Sequence, residues 1–134
     1  MISKILKIIG LQPRISKVFL TVGQNNFGNK IPFQVAVVGE STVGKTAICH
    51  QLSSDGTDFP KNYITTSLCD VLVKAVKIPD TNDLVELFLM DSSGNEMYHE
   101  ILKDVWKQAN LIVAVYDVTR EESFGNVSKA SIQL

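Results

Sequence analysis

Gly39, Gly44, Lys45 and Thr46 stand in G-x-x-x-x-G-K-T spacing within GESTVGKT. Those residue types, spaced so, can hold a phosphate. Glycines let the main chain turn tightly enough for successive amide N–H groups to face one anion, and a following helix aims its positive end at the same point. A lysine ammonium adds a point charge beside β- and γ-phosphates, and a threonine hydroxyl is a hard oxygen ligand for Mg²⁺. The candidate cradle is the set of main-chain amides from Val38 to Ala47, which includes Glu40, Ser41, Thr42 and Val43 between the glycines. A second group, DSSGNE, runs from Asp91 to Glu96. A carboxylate leaving an apolar strand there can enter the Mg²⁺ shell, and Gly94 presents an amide to a terminal phosphate with no side chain in the way. Alone, D-x-x-G is a common turn; behind a glycine-framed loop it carries weight.

The elements that must position these groups are legible in the hydrophobic pattern. Gln34 to Val38 reads as a buried strand ending at Gly39, and Gly44 to Leu52 as a helix stopped by SSDG. Thr57 to Thr66 is a polar loop. Leu68 to Ile78 and Asp83 to Met90 alternate with a rough period of two around the turn sequence PDTND, which predicts a hairpin. Asn95 to Asn110 is predicted helical from the spacing of Met97, Ile101, Val105 and Trp106. LIVAVY, residues 111 to 116, is a continuous apolar run suited to a strand covered on both faces. Thr119 is placed to cap a last helix that starts REESF, with Glu121 and Glu122 near its positive end. The order β-α-β-β-α-β-α predicts an α/β sheet with the glycine-loop strand at its centre.

Composition bounds the rest. A chain of 134 residues, 45% hydrophobic and 20% charged, is long enough for one domain with a real core. Residues 33–134 are assigned to that domain. Residues 1–32 form a basic extension, read as unstructured: Lys4, Lys7, Arg14, Lys17 and Lys30 bring +5 before Glu40, the first acid, and a net charge of −1 leaves −6 for the remainder. Within it Ile2, Ile5, Leu6 and Ile9 share one helical face. The near-neutral total gives no case for nucleic acid. No apolar run approaches the roughly 20 residues of a membrane span. Cys49 and Cys69 have neither C-x-x-C nor histidine spacing and read as reduced core thiols. His50 and His99 read as surface or satisfied singletons, Trp106 as core, and Glu40 as a solvated charge.

GESTVGKT, the Tyr63-to-Thr66 loop, DSSGNE and VYDVTREESF together resemble, in order and spacing, the Ras-like small GTPases of the Rab branch, over about residues 33 to 129. SDGTDF, NYITTS and VKIPDTNDLVELFLMDSSGNE look more narrowly like the Rab-like GTPases that serve the intraflagellar transport B complex. The resemblance implies a P-loop NTPase fold, three-layer α/β/α, and binding of GTP or GDP with Mg²⁺. It also implies GTP hydrolysis, a place in the cytoplasm and the cilium or flagellum, and a partner subunit from the same complex. Carried onto this chain, Gly39 to Thr46 cradle the phosphates, with Ala47 beside them, and Thr46, Thr66 and Asp91 hold Mg²⁺. Thr66, or Thr65 or Ser67 if the register slips by one, closes over the γ-phosphate, which Gly94 also contacts.

Three departures from the Rab pattern shape the expectation. Asn95 stands where a glutamine orients the attacking water; one methylene shorter, it predicts slow hydrolysis. Leu68 replaces a glycine, so the loop before it is expected to close differently. Neither the N-K-x-D sequence nor the S-A-K-like loop that reads guanine occurs within residues 1–134. The fold is therefore expected to be incomplete at the C-terminus, to keep phosphate recognition, to lose base selectivity and to leave LIVAVY as an open sheet edge. SIQL offers no cysteine for a lipid anchor. The leading reading is a nucleotide-dependent switch subunit. The alternatives are a scaffold that binds its partner without nucleotide, and an ATP-using P-loop kinase, which the short switch loop and D-x-x-G disfavour.

Overall fold

A computed structural model describes Phe19, Leu20 and residues 30–132 of the chain. Five strands, β1 (Phe19–Leu20), β2 (Lys30–Val38), β3 (Cys69–Lys77), β4 (Leu84–Ser92) and β5 (Leu111–Ala114), form one mixed sheet in the order β1-β5-β2-β4-β3. Helices α1 (Lys45–Ser53), α2 (His99–Gln108) and α3 (Glu121–Ile132) follow β2, β4 and β5, and a 3₁₀ turn, Glu96–Tyr98, leads into α2. β2 is central, as expected, and runs parallel to both β4 and β5.

Alternation along β2 builds the three layers. Val35 and Val37 face a core shared with Cys49 of α1, Val85, Leu87 and Leu89 of β4, and Leu111 and Val113 of β5. Ala36 and Val38 face the opposite core, closed by Leu102 and Trp106 of α2. β3 and β4 make the expected hairpin, Cys69 opposite Ser92 and Lys77 opposite Leu84. The Ile78 amide closes it on the Asp83 carbonyl at 3.0 Å.

Four expectations are corrected. β2 begins at Lys30, not Gln34, and accommodates Pro32 because only β4 flanks that half of the strand; β5 pairs with Val35 to Val38 alone. A residue without an amide hydrogen is tolerated where no second neighbour accepts from it. The β5 edge is not wholly open: Phe19 pairs with Ile112 and Leu20 with Leu111, antiparallel. The amphipathic stretch Ile2 to Ile9 lies outside the described residues.

The α2 region buries only part of the expected face: Trp106 is core and Val105 packs against it. Met97 and Ile101 are exposed, and Leu102, Trp106 and Ala109 are the buried positions. At 3.6 residues per turn Ile101 stands about 100° around the helix from its neighbour Leu102, so the face that buries Leu102, Trp106 and Ala109 turns Ile101 outward. Thr119 does not cap α3; its amide and hydroxyl both donate to Asp117 Oδ1, at 2.9 and 2.7 Å. Ser123 occupies the junction instead, its hydroxyl donating to the Arg120 carbonyl at 2.7 Å and accepting from the Asp117 amide at 3.0 Å.

Candidate functional site

The glycine loop connects the C-terminal end of β2 to the N-terminus of α1. Gly39 has φ +150°, and a Cβ there would run into the Val115 carbonyl oxygen, so the position admits no side chain. Thr42 takes a left-handed φ of 68°, and Gly44, at φ 97°, is the N-cap of α1. No side chain caps that helix and no acid lies in its first turn. The first-turn amides of Lys45, Thr46 and Ala47 therefore meet no competing internal anion, the condition an anion-binding helix start requires.

Lys45 is buried, and its Nζ donates to the Glu40 carbonyl oxygen at 2.6 Å. Burial lowers the ammonium pKa, while the Asp91 carboxylate pulls it back up. A charged group held in a dry loop on one carbonyl is poised for an anion.

Thr46, Thr66 and Asp91, the three candidate Mg²⁺ ligands, converge. Thr46 Oγ1 donates to Asp91 Oδ2 at 2.6 Å, lies 3.2 Å from Thr66 Oγ1, and Thr66 Oγ1 donates to the same carboxylate oxygen at 3.4 Å. Thr66, and neither Thr65 nor Ser67, is thus the threonine turned inward. Asp91 and Ser92 extend β4 beyond the expected end at Met90, and strand alternation puts Asp91 on the face of Leu87 and Leu89, toward α1.

The donor set fits a hard divalent cation. Two hydroxyls and a carboxylate are oxygen ligands, and Asp91 Oδ1 is the one buried side-chain oxygen without a hydrogen-bond partner among the described residues. Burial raises the Asp91 pKa, opposed by the Thr46 hydrogen bond and the Lys45 charge. A dication is what would repay the desolvation of that carboxylate. Bound there, Mg²⁺ supplies charge neutralisation to a phosphate chain.

The loop carrying Thr66 and the segment after Asp91 close over this point. The Ser93 amide donates to the Leu68 carbonyl at 2.8 Å, which ties the two together. A Cβ on Gly94 would collide with the backbone of Glu40 and Ser41, so Gly94 packs directly on the glycine loop. A cleft of about 190 Å³ lies between, lined by Thr42, Lys45, Thr46, Tyr63, Thr66 and Gly94 among others. Ala47 also lines it, whereas Val43 packs against the core. Leu68, in place of glycine, is partly exposed and enters the closure through its carbonyl.

Asn95 caps the 3₁₀ turn: its Oδ1 accepts from the Met97 amide at 3.0 Å. Its carbonyl is thus occupied by local structure.

Glu40 departs from its expected solvated state. Its Oε1 accepts from Asn126 Nδ2 at 2.6 Å and its Oε2 lies 3.8 Å from Arg120 Nη2, both on the side of α3. Arg120 Nη2 also donates to the Ser41 carbonyl at 3.4 Å. Sequence reasoning missed Arg120 and Asn126, which lie some eighty positions from their partners with no local signal to join them. A second cavity, of about 310 Å³, opens on that side between the glycine loop, Trp106 and α3. Among the other singletons, Trp106 is core as expected and donates through Nε1 to Ser92 Oγ at 2.9 Å. His50 is satisfied by Asp58 Oδ2 at 3.0 Å, and His99 meets the Trp106 ring edge-on at 5.6 Å.

Residues 34–134 match the Ras family. The chain is 47% identical over 100 residues to "Intraflagellar transport protein 27 homolog" of Bos taurus, covering 75% of this chain and 54% of that protein. It is 45% identical over 91 residues to "Intraflagellar transport protein 27" of Chlamydomonas reinhardtii, covering 68% and 45%. Against "Ras-related protein Rab-10" of Caenorhabditis elegans it is 32% identical over 97 residues, covering 72% and 46%. The chain spans about half the length of these curated relatives. The family match over residues 34–134 and the mixed sheet covered by helices lead to one conclusion: the chain belongs to the Ras family and has the α/β fold of a small GTPase.

Proposed function

We propose that the chain is a Rab-like, guanine-nucleotide-dependent switch subunit that works with Mg²⁺ in intraflagellar transport. The observation that carries this reading is the meeting of Thr46, Thr66 and Asp91 beside Lys45, with Asp91 Oδ1 left without a protein partner. A γ-phosphate and its cation would hold Thr66 and Gly94 in place, and loss of that phosphate would release both segments. Hydrolysis is slow in this reading, because the short Asn95 side chain is engaged in capping Met97. Similarity to the intraflagellar transport relatives supports a place in the cilium or flagellum and membership of a transport complex; the reading adds a cytoplasmic pool and a partner subunit in the B complex.

The test is Mg²⁺-dependent binding of a fluorescent GTP analogue, with ATP as competitor, compared with Lys45→Ala and Thr46→Asn. Equal signals from all three proteins would rule the reading out, and ATP outcompeting GTP would replace a GTPase with an ATP-using enzyme.

A second reading, a nucleotide-independent interaction subunit, is favoured by a different observation. Ile64 and Met97 are each 79% exposed, on the two segments that flank the cleft. Side chains so placed can bury on a partner whatever occupies the cleft. Co-purification with the partner subunit in EDTA, unaffected by Lys45→Ala, would select this reading over the first.

A further inference from the structure

Glu40 poses an electrostatic problem. An acid inside a loop built to bind an anion opposes that binding, since like charges at close range repel strongly in a poorly solvated site. Among the described residues the structure supplies an answer from outside the loop. Glu40 Oε1 takes the amide of Asn126 at 2.6 Å, and Oε2 faces the Arg120 guanidinium at 3.8 Å, with 27% of the Glu40 side chain exposed. Arg120 reaches the same loop again through the Ser41 carbonyl at 3.4 Å and is itself steadied by Asp117 Oδ2, 3.4 Å from its Nε. The Glu40 main chain also matters, because its carbonyl is the acceptor that holds Lys45 Nζ.

We infer that Arg120, assisted by Asn126, is a positioning residue for phosphate binding: it draws the Glu40 carboxylate away from the cleft, offsets its charge, and braces the loop that presents Lys45. This deepens the nucleotide-binding reading above and rests on it. The two cavities flanking the loop agree with the assignment. Glu40, Arg120 and Asn126 line the one beside Trp106, whereas Lys45, Thr46 and Thr66 line the cleft on the other side. The loop is thus a wall whose acidic side chain is kept on the far face. α3 gains a mechanical link to the nucleotide, since Arg120 immediately precedes its first turn and Asn126 lies within it.

The experiment measures affinity for a fluorescent GTP analogue with Mg²⁺ in wild type, Lys45→Ala, Arg120→Ala, Asn126→Ala, Glu40→Gln and the Glu40→Gln/Arg120→Ala pair. Nucleotide-free melting reports folding separately. Arg120→Ala is expected to bind about tenfold more weakly, because an unpaired carboxylate then faces the phosphates. Asn126→Ala should lose less, in the same direction. The decisive readout is rescue: the double variant should regain most of the lost affinity, since no charge is left to offset. A purely structural role for Arg120 would leave the double variant as weak as the single one. The Arg120→Ala deficit should also shrink as KCl is added. Should Arg120→Ala not fold, Arg120→Lys, which keeps the charge without the planar fork, takes its place and should show an intermediate affinity.

Arg120→Ala binding as wild type does, or a double variant without rescue, overturns the inference while nucleotide binding stands. A wild-type protein that binds no analogue overturns both.

Discussion

Thr46 Oγ1 donates to Asp91 Oδ2 at 2.6 Å, joining the first residues of α1 to the last residues of β4 across 45 positions of sequence. The bond exists because β4 lies beside β2 in the sheet and Asp91 pairs in register with Val37, one residue short of the glycine loop. A carboxylate buried at that register meets whatever the loop presents.

Asp91→Asn should separate stability from function. Burial holds the Asp91 carboxyl above the ordinary carboxylate range, despite the Thr46 hydroxyl and the Lys45 ammonium. Between the ordinary and the raised value the native state binds more protons than the unfolded chain. Stability therefore falls as pH rises through that window, and the whole cost is present above it. The neutral amide removes the cost and still accepts from Thr46. Nucleotide-free Asp91→Asn should melt a few degrees higher than wild type at neutral pH, as about 1 kcal/mol gives in a chain of this size. The gap should close on acidification, and Mg²⁺-dependent nucleotide binding should be lost. Calorimetric melts across pH, beside a binding titration, check both halves.

Gly94→Ala and Gly125→Ala should act in opposite directions. A methyl group on Gly94 meets the Glu40 and Ser41 backbone, which cannot yield as a side chain would. Overpacking of this kind costs about 1–3 kcal/mol and should also push the segment after Asp91 off the cleft, weakening binding. Gly125 has open space around it within α3, and alanine there should stabilise by about 0.5–1 kcal/mol. Urea melts of the two variants give the comparison.

Asn95→Gln lengthens the side chain by one methylene toward the reach of a water-orienting amide. Single-turnover GTP hydrolysis should rise several-fold while analogue affinity stays as it is. Asn95→Ala should instead lose the cap on Met97, at about 1 kcal/mol, with no gain in rate. An unchanged rate in Asn95→Gln would remove Asn95 from the catalytic reading.

The two thiols should differ sharply toward an alkylating reagent. Cys49 is wholly buried in α1 and burial pushes its pKa up to about 12, so almost no thiolate forms and no path leads to it. Cys69, half-buried on β3, is raised as well but retains access. Mass spectrometry after iodoacetamide treatment of the native protein should find Cys69 modified first and Cys49 only after denaturation.

Much of the site was legible without coordinates because its chemistry is written in short spacings. GESTVGKT fixes a turn, an N-terminus and two side chains within eight residues, and local backbone sterics demand glycine at Gly39 and Gly44. Hydrophobic alternation likewise named β3 and β4, since a two-residue period survives any tertiary arrangement, and an unbroken apolar run named β5. The α2 stripe was only partly legible: Val105 and Trp106 pack inward as read, but Ile101 and Leu102 are apolar neighbours about 100° apart on the helix, and only the docked sheet selects Leu102 for burial.

By itself, the sequence determined the loop, the candidate ligands Thr46 and Asp91, and an α/β order of elements, all of them local properties of residue type and period, while Thr66 entered with two neighbours as alternatives and only by resemblance to the Rab branch. Tertiary structure alone decided that Thr66 rather than its neighbours turns inward, and that Phe19 and Leu20 pair along β5. It alone decided, too, that Glu40 is claimed by Arg120 and Asn126. Those outcomes rest on contacts between residues far apart in the chain, whose partners are chosen by which faces the folded sheet brings within bonding distance.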